Sequence, residues 1–344
     1  VRDGLVSRKF SSCGRLALYN YRPRCQFENI WTPVTQAARG LVFEVATGRC
    51  VARPWPKFFN AGTPMATPPP GLPDEVTEKV DGSLGIGFRY GGEMWWCTRG
   101  AFDSPQAAVA RRMWAARHAG MDDPIREGVT LLVEILAPES RVVVQYERDA
   151  LVLLGVRTTA GDDLPFAAVQ AVAARLGMDS AATYEPGTPE AIKALADAHD
   201  DQFEGYVLRW GVGPDSYRVK VKGADYLRTH RVLQGLTTRR ICDYWYAGED
   251  LPSVASEEVR AHAGRVCAEM GARVAELHRE VADCWAGLNH LTDRGEFARA
   301  AQHHPRLFSA LMRRFTGTSL DLPLQVYRER FEGSRPRAVE VSRA

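Results

Sequence analysis

One lysine stands between an extended run and a glycine turn in Glu78-Lys79-Val80-Asp81-Gly82-Ser83. Val76 and Val80 fall on one side of that run. After Gly82 a period-two pattern resumes with Leu84, Ile86 and Phe88, so the spacing predicts strand, sharp turn, strand, with Lys79 at the end of the first strand. A protonated amine is a poor nucleophile, but desolvation and neighbouring cations lower its pKa, after which it can attack a phosphorus or carbonyl centre. Alone, the pattern also describes an exposed hairpin with a surface lysine. The reading therefore depends on what the rest of the chain can bring to Lys79.

Four further stretches carry charge where a strand is expected. Val129 to Leu136 is apolar except for Thr130 and Glu134, so one carboxylate interrupts a buried strand. It needs a partner, either a structural ion pair or a metal or ribose hydroxyl to bind. Phe203-Glu204-Gly205-Tyr206-Val207-Leu208-Arg209 sets a second carboxylate beside a glycine. In Tyr217-Arg218-Val219-Lys220-Val221-Lys222, alternation puts Lys220 and Lys222 on one face, where like charges repel unless an anion lies between them. Upstream, Arg39 and Lys57 bracket the expected hairpin Ala38–Glu44 and Cys50–Arg53.

The elements that would position these groups follow from punctuation. Gly62, Pro64 and Pro68-Pro69-Pro70-Gly71 cannot continue a sheet and read as an exposed connector to Lys79. Strands are expected near 84–90 and 93–98 around Gly91-Gly92, and near Leu151–Val156. Helices are expected from Ser104-Pro105, from Pro165 to Leu176 ahead of Gly177, and from Thr188-Pro189. Residues 1 to about 38 show no clear period, and only short strands and turns are expected there. Beyond residue 240 the period becomes helical. Val259, Val266, Met270, Val274, Leu277, Val281, Trp285 and Leu288 mark a long amphipathic helix from near Ser256, and shorter helices follow around Leu307–Phe315 and Leu324–Phe331.

With 344 residues, ordinary apolar and charged fractions and a net charge of +2, the chain can bury a core and has no large basic tail to announce nucleic acid. Seven cysteines without a Cys-x-x-Cys pair argue against a disulfide framework and a zinc ribbon. His290, His303 and His304 are too loosely placed to read as metal ligands. No segment reads as a signal peptide or a membrane span, so a cytoplasmic protein is expected.

Together, Lys79-Val80-Asp81-Gly82, Glu134, Glu204-Gly205-Tyr206-Val207 and Lys220-Val221-Lys222 resemble the covalent nucleotidyltransferases, the superfamily of ATP-dependent ligases and capping enzymes. Ala38-Arg39-Gly40-Leu41-Val42-Phe43-Glu44, Lys57-Phe58-Phe59-Asn60 and Gly223-Ala224-Asp225-Tyr226 narrow the resemblance to the phage RNA ligase 1 branch. It covers roughly residues 36 to 230. It implies an α+β fold: a nucleotidyltransferase domain of ATP-grasp-like antiparallel sheets with flanking helices over residues 1–240, then an all-α C-terminal domain over 241–344 that helps receive RNA.

By this resemblance Lys79 takes AMP from ATP, Glu134 and Glu204 engage the ribose and Mg2+ or Mn2+, and Lys220 and Lys222 hold the α-phosphate. Arg39 and Lys57 would contact the triphosphate or the RNA end, Phe59 would pack at the nucleotide and Tyr226 would close the site. Glu78 and Gly82 would flank the bound nucleotide, and Arg99 stands where the family tends to have a basic residue. Val156 is all the strand near 155 offers as a platform for adenine. The implied activity is ATP-dependent sealing of RNA 5′-phosphate and 3′-hydroxyl ends by a monomer, with cleaved tRNA among the substrates. Two other readings are a DNA ligase or capping guanylyltransferase, disfavoured by the helical tail where a small β-barrel is usual, and a nucleotide- or RNA-binding protein without turnover, which would not need the lysine.

Overall fold

The computed structural model describes residues 1, 3–117, 125–137, 143–235, 237–250, 257–337 and 339. The chain divides into two compact units, Val1–Arg228 and Thr229–Ala344.

The first unit is built on three sheets. β1 (Val6–Phe10), β2 (Leu16–Tyr21), β3 (Arg39–Glu44) and β4 (Cys50–Ala52) form an antiparallel sheet in chain order. Between β2 and β3 lie α1 (Pro23–Phe27) and α2 (Pro33–Ala37), two short helices where only strands and turns were expected. Both open with proline in the first turn, and Thr32 caps α2 by accepting the Thr35 N–H.

The remaining elements of this unit are β5 (Phe59–Asn60), β6 (Glu75–Glu78), β7 (Ser83–Tyr90), β8 (Glu93–Thr98), α3 (Pro105–Arg117), β9 (Val129–Leu136), β10 (Ala150–Thr158), α4 (Phe166–Arg175), β11 (Asp179–Ser180), β12 (Thr183–Tyr184), α5 (Pro189–Asp197), β13 (Gly205–Trp210) and β14 (Tyr217–Lys222). α6 (Ala224–Gly235) spans the division between the units. The strands form two five-stranded sheets, ordered β11-β10-β9-β7-β8 and β12-β6-β13-β14-β5. Both are antiparallel apart from the edge pairs β10·β11 and β14·β5.

The strand, turn and strand around Lys79 stand where the spacing put them, but they do not pair with each other. β6 belongs to one sheet and β7 to the other, and Val80 to Gly82 carries the chain across between them.

Alternation decides which side chains meet the space between the sheets. Leu131, Val133 and Ile135 of β9 pack with Val109, Met113 and Val169 of α3 and α4. Leu132, on the opposite face, packs with Ile86, Phe88 and Trp55, and Glu134 is the next residue on that side. In the second sheet Val76, Tyr206, Leu208, Val219 and Val221 pack on Ile192 and Ala196 of α5. Each fully buried aliphatic stabilises the unit by roughly 1.5–3 kcal/mol. The alternate residues of those strands are left for the site.

The second unit is helical: α7 (Thr238–Ala247), α8 (Glu257–Leu288), α9 (Arg294–Ala301), α10 (Phe308–Phe315) and α11 (Leu322–Arg330). Val266, Met270, Leu277 and Val281 of α8 bury the expected stripe against Ile241, Phe297, Leu311 and Tyr327. The expected start at Ser256 lies outside the described residues, and so does the side chain of Val259. Asp243 is buried and accepts hydrogen bonds from the Tyr327 hydroxyl (2.5 Å) and the Arg337 N–H (3.1 Å). All seven cysteines are free. No described helix is long and apolar enough to cross a membrane.

Candidate active site

Lys79 is placed by the crossing between the sheets. Its N–H donates to the Gly205 carbonyl (2.8 Å), extending the β6·β13 ladder by one residue. The turn that follows is pinned by Asp81, which is 3% exposed. Asp81 Oδ2 accepts the N–H groups of Val143 and Val144 (2.8 and 2.9 Å), Oδ1 accepts the Tyr226 hydroxyl (2.7 Å), and the Asp81 N–H donates to the Tyr146 hydroxyl (2.8 Å). Gly82 is required by proximity, since an added Cβ would lie 2.6 Å from the Ile135 carbonyl oxygen and 3.2 Å from Glu134 Cγ. Thus the Lys-x-Asp-Gly spacing is the lysine, a clamp and a close crossing onto β9.

Around Lys79 the structure collects most of the expected charges. The Glu204 carboxylate, 4% exposed, is shared: Oε2 lies 2.7 Å from Lys79 Nζ and Oε1 lies 2.7 Å from Lys222 Nζ. Gly205 lets β13 start here, at a φ of +140° where a Cβ would fall 2.0 Å from the Val221 carbonyl oxygen. Burial pulls the Lys79 amine down, but Glu204 and then Glu134 outweigh it and hold the amine above the ordinary lysine range. The expected depression by neighbouring cations is therefore reversed: Lys79 is an ion-paired ammonium here. Burial likewise raises Glu204, and Lys79 and Lys222 overcome this to keep it ionised.

Glu134, 8% exposed, has neither hydrogen bond nor ion pair among the described residues, and burial pushes its carboxyl up to about 8 against the opposing pull of Lys79. Among the described residues, then, no structural ion pair holds Glu134, and its carboxyl group lines the cleft. Among the described residues no three His, Cys, Asp or Glu side chains converge as a metal cluster. A magnesium or manganese ion fits only in the mode these hard cations share with phosphates, one or two carboxylates completed by substrate oxygens and water. Glu134 offers such a carboxylate, and Glu204 could join it by releasing a lysine.

The cations on the other side are held by aromatic rings rather than by carboxylates. Lys57 Nζ lies 5.9, 5.4 and 5.7 Å from the ring centroids of Tyr21, Trp31 and Phe59, and Lys220 Nζ lies 5.5 Å from that of Phe58. Arg99 donates to the Tyr21 hydroxyl (2.6 Å). Arg39 is half-buried, and its Nη1 is buried and unpartnered. Neither Arg39, Lys57 nor Lys220 has an ion pair among the described residues. Burial, reinforced by mutual repulsion, lowers Lys57 to about 8 and Lys220 well below the ordinary lysine value. Such a group of desolvated cations favours any anion that enters.

The cleft between the two five-stranded sheets encloses about 460 Å³ and is lined by Arg39, Glu78, Lys79, Gly82, Arg99, Glu134 and Lys220. Burial raises the Glu78 carboxyl, and His199 opposes that rise. Three assignments move. Phe59 supports Lys57, and it is Phe58 that lines the cleft. Tyr226 is 1% exposed and backs the site, between Asp81 and Lys222, instead of closing over it. Val156 is buried in the core between β9 and α4. Leu154 and Gly155 line the cleft instead, because a bulge between Leu153 and Gly155 shifts the alternation of β10. The unforeseen lining residues Thr77, Glu75, Val207, Arg209 and Arg218 lie two or four positions from Lys79, Gly205 and Lys220. Strand alternation counted back from the lysines points to them.

The antiparallel two-sheet cleft thus gathers a half-buried lysine, two buried carboxylates and a group of cations without carboxylate partners among the described residues. The RNA ligase family model matches residues 37–226, more than half of the chain, and the chain belongs to that family. A putative RNA ligase of Thermovibrio ammonificans is 30% identical over 132 residues (37% of this chain, 35% of that protein). RNA ligase 1 of Bacteriophage TS2126 is 31% identical over 142 residues, with the same coverage of 37% and 35%. The chain thus spans about a third of the length of these relatives. The RNA ligase of Rhodothermus phage RM378 is 24% identical over 303 residues, covering 67% of each. Among solved structures, an archaeal ATP-dependent RNA ligase aligns over 79% of this chain and 76% of its own, at 13% identity and a TM-score of 0.46. A Naegleria gruberi RNA ligase aligns over 46% and 51%, at 19% identity and a TM-score of 0.37. Scores below 0.5 add nothing to the family assignment.

Proposed function

We propose that the chain is an ATP-dependent RNA ligase whose first step is transfer of AMP to Lys79. The observation that carries this reading is the Lys79 amine held 2.7 Å from the buried Glu204 carboxylate at the end of β6, with Arg39, Lys57 and Lys220 nearby and without a carboxylate partner among the described residues. Lys79 Nζ would attack the α-phosphorus as the P–O bond to pyrophosphate breaks, and Glu204 Oε2 is within reach of the proton the amine must lose. Arg39, Lys57, Arg99 and Lys220 would stabilise charge on the phosphate oxygens. A divalent ion held by Glu134 and Glu204 would add further charge stabilisation. The AMP would then pass to an RNA 5′-phosphate, and an RNA 3′-hydroxyl would displace it to form the phosphodiester. Repair of cleaved RNA, tRNA included, suits this activity. The chain would act as a monomer, and a reducing cytoplasm accords with its seven free thiols.

Incubation with labelled ATP and Mg2+ or Mn2+ tests the proposal. An acid-labile adduct is expected on the parent and none on Lys79→Ala or Lys79→Arg, because a guanidinium stays protonated. Label surviving Lys79→Ala would disprove the assignment. An adduct from GTP alone would favour the capping reading. A folded parent that binds ATP without forming an adduct would favour the binding protein.

A further inference from the structure

The floor of the cleft continues beyond the groups used above. The ladder sets Val207 between Thr77 and Lys220, and Arg209 between Glu75 and Arg218. Alternation therefore lays two more ranks of side chains beyond Lys79, each spaced roughly 7 Å from the last. The middle rank offers an apolar surface in Val207, faced by Leu154 and Gly155 on the opposite sheet. The last rank is polar and nearly saturated.

Asp163 accepts from Trp55 Nε1 (3.1 Å to each oxygen) and the Ser216 hydroxyl (2.9 Å), and pairs with Arg218. Arg218 in turn covers the Trp55 ring. Glu75 Oε1 accepts from the Phe166 N–H (2.8 Å) and from Arg209 Nη2, and Arg209 Nη1 donates to the Leu164 carbonyl (2.7 Å). Two atoms are left over. Glu75 Oε2 takes no hydrogen bond from any described residue, on a side chain that is 22% exposed and lines the cleft. Arg209 Nε is buried and unpartnered, on a side chain that also lines it. A polar atom left unpaired in such a place costs stability unless a ligand completes it.

We propose that Glu75 is the residue that reads the base of the nucleotide. A purine lying on Val207 would donate its exocyclic 6-amino group to Glu75 Oε2 and accept from Arg209 Nε at a ring nitrogen. The proposal rests on the reading that a nucleotide is transferred to Lys79. It selects adenine, since a 6-oxo purine turned the same way sets its carbonyl oxygen against the carboxylate. A site whose own polar groups are left unpaired rejects the wrong ligand more strongly than an apolar pocket can.

The test is the rate of Lys79 adduct formation with ATP, inosine triphosphate and the triphosphate of unsubstituted purine riboside, on the full chain. The parent should prefer ATP to both analogues by roughly 10- to 100-fold in kcat/KM. In Glu75→Gln the amide oxygen stays with the two N–H donors and the amide nitrogen replaces Oε2, turning the acceptor into a donor. The ATP-to-inosine ratio should then fall by at least roughly tenfold, with the melting temperature reporting that the variant is folded. A parent that uses purine riboside triphosphate as well as ATP overturns the inference without any variant. A folded Glu75→Gln with the parent's ratio overturns it while leaving the Lys79 reading intact. No adduct from any triphosphate overturns both.

Discussion

Glu134 is a carboxyl group that folding forces toward its neutral form. Its pKa is about 8 in the fold against an ordinary 4.5, chiefly from burial. The folded state therefore binds its proton more tightly than the unfolded chain. The stability this contributes is fully present below about pH 4.5 and is lost as pH rises through about 8. In Glu134→Gln that loss is expected to vanish, so the variant's melting temperature should gain on the parent's across this window and level off above it. A constant difference across the window would show that the carboxyl is solvated after all. Magnesium or manganese should restore the parent's stability near pH 8 and leave Glu134→Gln unmoved, and adduct formation by the variant should fall at least tenfold. Sequence placed this residue well, because a lone carboxylate in an apolar strand is conspicuous. What sequence could not supply was the sign at Lys79: the amine's neighbours are carboxylates from β9 and the start of β13, distant in sequence, and they set its protonation state.

At the scale of the element, the crossing from β6 to β7 holds the site together. Gly82→Ala must displace the backbone of Ile135 or its own turn, and a loss on the order of 1–3 kcal/mol in denaturant unfolding is expected, with slower adduct formation. An unchanged midpoint would mean the sheets yield more readily than their packing suggests. Asp81→Ala removes the acceptor of two N–H groups and of one hydrogen bond from the Tyr226 hydroxyl, and should cost more. Asp81→Asn should be milder, since its amide oxygen can serve Val143 and Val144 while its nitrogen donates to Tyr226. The strands β7, β9, β10 and β14 and the helices α3, α4, α5 and α8 were legible in the alternation and the caps, whereas α6 was not. Sheet membership was not, because pairing between residues more than a hundred positions apart leaves no local mark. Val156 shows the same limit on a smaller scale: an alternation count along β10 fails at the bulge, whose one local mark is Gly155 inside the strand. Phe58 and Phe59 both read as aromatic, and only the turn into β5 decides which faces the cleft.

For the whole molecule, every group assigned to chemistry lies in Val1–Arg228, and Thr229–Ala344 has its own core around α8. A fragment ending at Gly235, where α6 closes, is expected to keep forming the Lys79 adduct while joining structured RNA at least tenfold more slowly than the full chain. Joining at the parent rate by monodisperse fragment would show that the helical unit does not receive the substrate. The cations without carboxylate partners have a consequence for heat and protons. Lys57 titrates near 8 instead of 10.5, so between those values the fold has shed a proton it would otherwise hold. An anion seated against Arg39, Lys57 and Lys220 should draw that proton back from the solvent, whereas a divalent ion seated on Glu134 should drive one out. Calorimetry of pyrophosphate and of Mg2+ near pH 8.5, each repeated in buffers of different ionisation enthalpy, should therefore give heats that change with buffer in opposite senses, so that the measured enthalpy of metal-nucleotide binding would depend on the balance of two proton fluxes as well as on the contacts made.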